Sequence, residues 1–105
     1  PSLTMGYIGG NSVSVDYILP SGVKPKSNGA WIGIWEANQI SYTTQPKAAN
    51  IIQVDKNRGN AFINGITIGR GATYTIALFM SGWVGAGKPN VLTAIACSIT
   101  FTNPG

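Results

Sequence analysis

An antiparallel β-sandwich is the fold class this sequence predicts, and three observations predict it. Eight short segments of alternating or β-branched character recur about every ten residues. Clusters of glycine, asparagine, serine and proline separate them. No stretch of eleven or more residues keeps an i, i+3, i+4, i+7 apolar pattern free of glycine and proline, so helix signals are nearly absent. At 105 residues the chain is expected to form a single domain, long enough to bury a core without metals or crosslinks.

The first strand is predicted at 3–8 and ends at Gly9-Gly10-Asn11. The second, at 12–18, sets Val13, Val15 and Tyr17 on one face against Ser12, Ser14 and Asp16 on the other. A long loop through Pro20-Ser21-Gly22 leads to a third at 30–36. There Trp31-Ile32-Gly33-Ile34-Trp35 puts two indoles with a bare glycine between them on one face and two isoleucines on the other. Only one of those pairs can fill a single core. Either the sheet is covered on both faces, or an aromatic platform faces outward.

Strands at 40–44 and 50–54 follow, then one at 60–68. Asn64-Gly65 inside the latter is a residue pair suited to a two-residue hairpin, but the arms would be only three or four residues long, so a single bulged strand is preferred. Seven or eight strands are expected in all; if the hairpin forms instead, the count rises by one and the order downstream changes. The strand at 73–81 sets Tyr74, Ile76, Leu78 and Met80 against Thr73, Thr75, Ala77 and Phe79, and bulk on both faces near Phe79 marks a central position. The last, at 91–102, follows Gly85-Ala86-Gly87-Lys88-Pro89-Asn90 and carries the sole cysteine, Cys97, read as a small buried thiol.

Gly69-Arg70-Gly71-Ala72-Thr73-Tyr74-Thr75-Ile76 resembles the approach to strand F in fibronectin type III and related immunoglobulin-like domains. The resemblance implies an immunoglobulin-like sandwich in which Tyr74 forms a tyrosine corner, bonding back to the backbone. It also implies that Trp31 or Trp35 is the large aromatic of strand C, and that 20–29 is the long loop between strands B and C. With one cysteine, the chain departs from the disulfide-bearing antibody domains. Such a resemblance implies a fold and brings no activity with it.

Composition narrows the function. Only 10% of residues are charged, against ~25% in ordinary soluble domains, so surface polarity rests on amides and hydroxyls. The net charge is +4, but Lys24, Lys26, Lys47, Lys56, Arg58, Arg70 and Lys88 are scattered, so nucleic acid is not an expected partner. With no histidine, the usual general base and transition-metal ligand are missing, and no cofactor is expected. Asp16, Glu36 and Asp55 are the only carboxylates, each at the end of a different segment, whereas a glycosidase needs a pair facing across roughly 5–10 Å. An enzyme is therefore not expected. No leader pattern and no run of ~18 apolar residues is present. A start at Pro1 fits loss of an initiator methionine, so a leaderless cytoplasmic protein is expected, with a mature secreted product or an excised domain reading the same.

Binding is the stronger expectation. In an immunoglobulin-like sandwich, alternate loops emerge at one end, and here these are 19–29, 55–59 and 82–90. The candidate ligand-binding residues are Trp83, Asn28, Asp55, Arg58 and Asn90, with Trp31 at their base. A tryptophan amid amides, a carboxylate and a guanidinium is the inventory of a sugar site, stacking on the pyranose C–H face and engaging vicinal hydroxyls. Structural readings compete: Trp31 and Trp35 as core, Trp83 as a lid over the end of the core, and 55–59 as a solvated turn. Glu36-Ala37-Asn38-Gln39 with Trp35 and Arg70 is a second candidate pocket at the opposite end. The leading expectation is a small metal-independent lectin for a neutral sugar, assembled as a homo-oligomer for avidity. The alternatives are a protein-interaction or self-assembly module, and a membrane-surface or toxin-like protein using Trp83 and nearby lysines.

Overall fold

Alternation gives each strand one apolar face, and two sheets bury those faces against each other. A computed structural model describes residues 1–84 and 95–104. The described residues form β1 (Ser2–Ile8), β2 (Ser12–Ile18), α1 (Pro25–Asn28), β3 (Trp31–Trp35), β4 (Ala48–Ile51), β5 (Arg58–Asn64), β6 (Thr73–Phe79) and β7 (Ile95–Thr102). One sheet has the order β1-β2-β5 and the other β4-β3-β6-β7, every pairing antiparallel. The molecule is an all-β sandwich. In constant-type immunoglobulin domains the fourth strand lies beside the fifth, whereas here β4 pairs with β3 on the opposite sheet. Asn50 on β4 still reaches across, its Nδ2 donating to the Phe62 carbonyl of β5 at 3.0 Å, so this edge of the sandwich is laced shut.

Val13, Val15 and Tyr17 from β2, Ala61 and Ile63 from β5, Ile32 and Ile34 from β3, and Tyr74, Ile76 and Leu78 from β6 fill the space between the sheets. Tyr74 makes the expected corner: its hydroxyl oxygen accepts the Gly69 N–H at 2.6 Å and lies 3.4 Å from both the Thr67 carbonyl and Glu36 Oε1. β6 is the central strand anticipated from its bulk on two faces, between β3 and β7.

Both faces of the four-stranded sheet are covered. All five residues of β3 are buried: the isoleucines face the other sheet, and the tryptophans join Phe79 and Ala77 in a second apolar layer on the outside. Trp31 lies flat on Phe79, centroids 4.1 Å apart and planes within 6°. Ile40, Ala49 and Trp83 pack against this layer. Gly33 lets the two indoles lean together: a Cβ there would meet Trp31 Cζ3 at 2.7 Å, with Trp35 Cζ3 and Pro46 Cβ both at 3.2 Å. Each indole N–H is satisfied by a carbonyl, Trp31 Nε1 on Ser81 at 3.1 Å and Trp35 Nε1 on Thr44 at 2.9 Å.

Four expectations are corrected. The strand expected at 50–54 runs instead over Ala48–Ile51. Residues 40–44 are not a strand, because Ser41 Oγ accepts the Thr43 and Thr44 N–H groups at 3.2 and 3.0 Å and curls the chain into turns. That loop instead lids Trp35. Segment 60–68 starts earlier, at Arg58, and its ladder stops at Asn64, since Gly65 takes φ +75°. No hairpin forms there: Ile66 and Ile68 run on, donating to the Asn11 and Gly10 carbonyls. The loop 20–29 contains a one-turn helix opened by Pro25 and closed by Gly29 at φ +72°. Of the strand expected at 91–102, residues 91–94 lie outside the described residues. Cys97 is half-buried on β7, packed against the central core, and burial pushes its thiol pKa up.

Candidate functional site

The β2–β3 and β4–β5 connections meet at one pole, joined there by residues 80–84, the described start of the β6–β7 connection. The β4–β5 loop, 52–57, is fixed residue by residue. Asp55 Oδ1 accepts the Ser27 N–H at 2.7 Å, and Oδ2 accepts the Ser27 hydroxyl at 2.5 Å. The Lys56 carbonyl accepts the Tyr17 hydroxyl at 2.8 Å. Asn57 is clamped to Leu19 twice: its carbonyl accepts the Leu19 N–H at 2.6 Å, and its Nδ2 donates to the Leu19 carbonyl at 3.0 Å. The third connection joins through backbone, the Trp83 N–H donating to the Gly29 carbonyl at 3.1 Å just beyond α1.

Between the first two loops lies an open cleft of about 330 Å³, lined by Gly22, Val23, Lys24, Asp55, Lys56, Asn57 and Arg58. That size is at the lower end of the ~300–1,000 Å³ typical of small-molecule sites. The two hydrogen bonds from Ser27, with lesser help from the charges of Lys24 and Lys26, hold the Asp55 carboxyl below its ordinary pKa. Burial raises the pKa of Tyr17, whose ring stands beneath the loop.

The expected site residues divide. Asp55 and Arg58 line the cleft together. Asn28 is exposed at the end of α1, one residue from Ser27, which grips Asp55. Trp83 is half-buried, tilted at 49° against Trp31 with centroids 6.5 Å apart, so it both covers the outer aromatic layer and keeps part of its surface open. Trp31 is different: it is 0% exposed and has no surface to offer a ligand. Its part is to carry Trp83. Asn90 lies outside the described residues. At the opposite end, Trp35 is buried under the 36–47 loop, and Glu36 is taken up by the tyrosine corner.

Sequence reasoning missed Lys24 and Lys56 as partners of Arg58, and missed Ser27 altogether. Spacing alone hides these, because Ser27 and Asp55 are 28 residues apart and meet only once α1 forms. Among the described residues, no three His, Cys, Asp or Glu side chains gather as a metal site, and no helix is long and apolar enough to cross a membrane. Comparison with protein-family models, with curated proteins and with solved structures finds no match to this chain.

Proposed function

We propose that this protein is a carbohydrate-binding module whose ligand sits at the pole where the β2–β3 and β4–β5 connections meet residues 80–84. One observation carries the reading. Asp55, Lys56 and Asn57 are held by neighbours in succession on an exposed loop, beside a cleft, with a partly open indole across α1. A loop ordered before its ligand arrives spares the ordering entropy that would otherwise be subtracted from affinity. An indole edge flanked by polar side chains suits the amphipathic surface of a sugar ring, apolar on its C–H face and hydroxylated around its rim. Single sites of this kind bind weakly, so several copies acting together are part of the proposal.

The test is a glycan array read alongside tryptophan fluorescence, using the 105-residue chain. Retention of at least one glycan class, with quenching that disappears in Trp83→Phe, is the expected result. Phenylalanine keeps the packing on Trp31 while changing the emitter. Absence of any retained glycan at tens of micromolar protein, with native near-ultraviolet circular dichroism, would overturn the reading. A second reading, self-association, draws on the β1-β2-β5 sheet, where Tyr7, Ile18 and Phe62 are 54%, 43% and 38% exposed. A silent array together with a mass that climbs with concentration in light scattering would favour it.

A further inference from the structure

We infer that the cleft between the β2–β3 and β4–β5 loops is a subsite for the anionic group of an acidic saccharide, one carrying carboxylate or sulfate. The inference rests on the carbohydrate reading above and departs from the neutral sugar that composition alone suggests.

The argument is an inventory of which polar groups in the cleft remain uncommitted. Asp55 is engaged at both carboxylate oxygens by Ser27 and so ties α1 down, with one lone pair left on each oxygen. The Asn57 amide nitrogen is committed to the Leu19 carbonyl, and its main-chain carbonyl to the Leu19 N–H. The Lys56 carbonyl is committed to Tyr17. Besides the Asn57 side-chain oxygen and the spare lone pairs of Asp55, what remains at the rim is Lys24, Lys56 and Arg58, three cations whose side chains enter no ion pair or hydrogen bond among the described residues. They are donors only, and a planar guanidinium together with two ammonium groups suits the oxygens of a carboxylate or sulfate. Gly22 and Val23 form the apolar side of the cleft, against which a ring can rest.

Charge count agrees. Three cations against one carboxylate give the cleft lining an excess of two positive charges in a chain whose total is +4. Lys26 stands close enough to Asp55 to act on its charge as well. A neutral sugar would leave these charges uncompensated, whereas an anion desolvated between them gains charge-assisted bonds from two loops already held in place. Ser27, which grips Asp55, and Gly29, whose carbonyl holds Trp83, are two residues apart. Trp83 is not among the residues lining the cleft, so a ligand engaging both the cations and the indole extends beyond it.

The experiment is calorimetric titration of the whole chain with three oligosaccharide series of matched length: sulfated, carboxylated and neutral. Inorganic sulfate and anionic phospholipid vesicles are run as further arms. Wild type is compared with Lys24→Gln, Lys56→Gln and Arg58→Gln, all exposed positions whose loss leaves the core intact. The expected result is preference for an acidic series, about tenfold weaker for each cation removed, and weakening as salt shortens the screening length. Equal binding of neutral and acidic series, unaffected by the glutamine variants, overturns the anion subsite and leaves the carbohydrate reading standing. No saccharide bound in any series overturns the carbohydrate reading itself. Tighter binding to vesicles or to sulfate alone than to the acidic oligosaccharides overturns the saccharide assignment.

Discussion

Replacing Gly33 by alanine probes the outer aromatic layer with the smallest available perturbation. The added methyl would stand 2.7 Å from Trp31 Cζ3 and 3.2 Å from Trp35 Cζ3 and Pro46 Cβ. Carbon atoms rest comfortably at about 3.5 Å or more, so Trp31 would have to retreat by about 0.8 Å. It has nowhere to go, being stacked on Phe79 at 4.1 Å and tied through Nε1 to the Ser81 carbonyl at 3.1 Å. Overpacking of this kind costs about 1–3 kcal/mol. The loss of unfolded-state freedom on changing glycine to alanine returns about 0.4–1 kcal/mol. The net is a destabilisation of about 1–2 kcal/mol, which at roughly 4–8 °C per kcal/mol lowers Tm by about 4–16 °C. Urea unfolding followed by tryptophan fluorescence measures it, with near-ultraviolet circular dichroism reporting the Trp31–Phe79 stack. Gly10→Ala is the control: nothing lies within 4 Å of a Cβ there and its φ is not positive, so its stability should match or slightly exceed wild type. A Gly33→Ala protein as stable as wild type, with an unchanged aromatic spectrum, would refute the close-packed double-indole arrangement.

Three further outcomes are expected. Tyr74→Phe removes the acceptor of the Gly69 N–H inside the molecule and should cost about 1–3 kcal/mol in urea unfolding. Asp55 has a folded pKa held below its ordinary value by Ser27, so its contribution to stability is present above about pH 4 and is lost as pH falls through the folded value. Ser27→Ala should accordingly be less stable than wild type at pH 6, converge with it once pH has fallen through the folded value, and show Asp55 titrating at higher pH by carboxyl NMR. Cys97 is half-buried with a raised pKa, so Ellman's reagent at pH 8 should label the native protein far more slowly than the urea-unfolded chain.

Strand identity was legible wherever alternation met burial on a single face, as in β2, where Val13, Val15 and Tyr17 turn inward and Asp16 and Ile18 outward. It failed at 40–44, where β-branched composition was outweighed by one hydroxyl: Ser41 captures two following amides, and a short segment with no strand beside it has nothing stronger to offer them. The doubling of apolar faces in β3 was readable, but which alternative applied was not. Covering the indoles depends on Pro46, Ile40 and Trp83, residues from two different connections that no local pattern links to Trp31. The pole was legible as a cluster of loops through the family resemblance. The cleft's cationic character was not, because Lys24 and Arg58 are far apart in sequence and looked like isolated charges until α1 and the Asp55–Ser27 contact brought their loops together.

The same covering braces the pole proposed as the binding surface. Phe79 carries Trp31, Trp31 carries Trp83, and the Trp83 amide holds the Gly29 carbonyl at the end of α1. Two residues back along α1, Ser27 grips Asp55, and from Asp55 the fixed loop runs through Lys56 and Asn57 to Arg58. The links are ring contacts, hydrogen bonds and short stretches of backbone, all of them within the protein. An open loop tip would normally sample many arrangements on its own. Here the outer aromatic layer, which is redundant for filling the central core, supplies the support that the loops lack. In the proposed function, Trp31 of β3 therefore acts without touching a ligand, since it sets where Trp83 can stand.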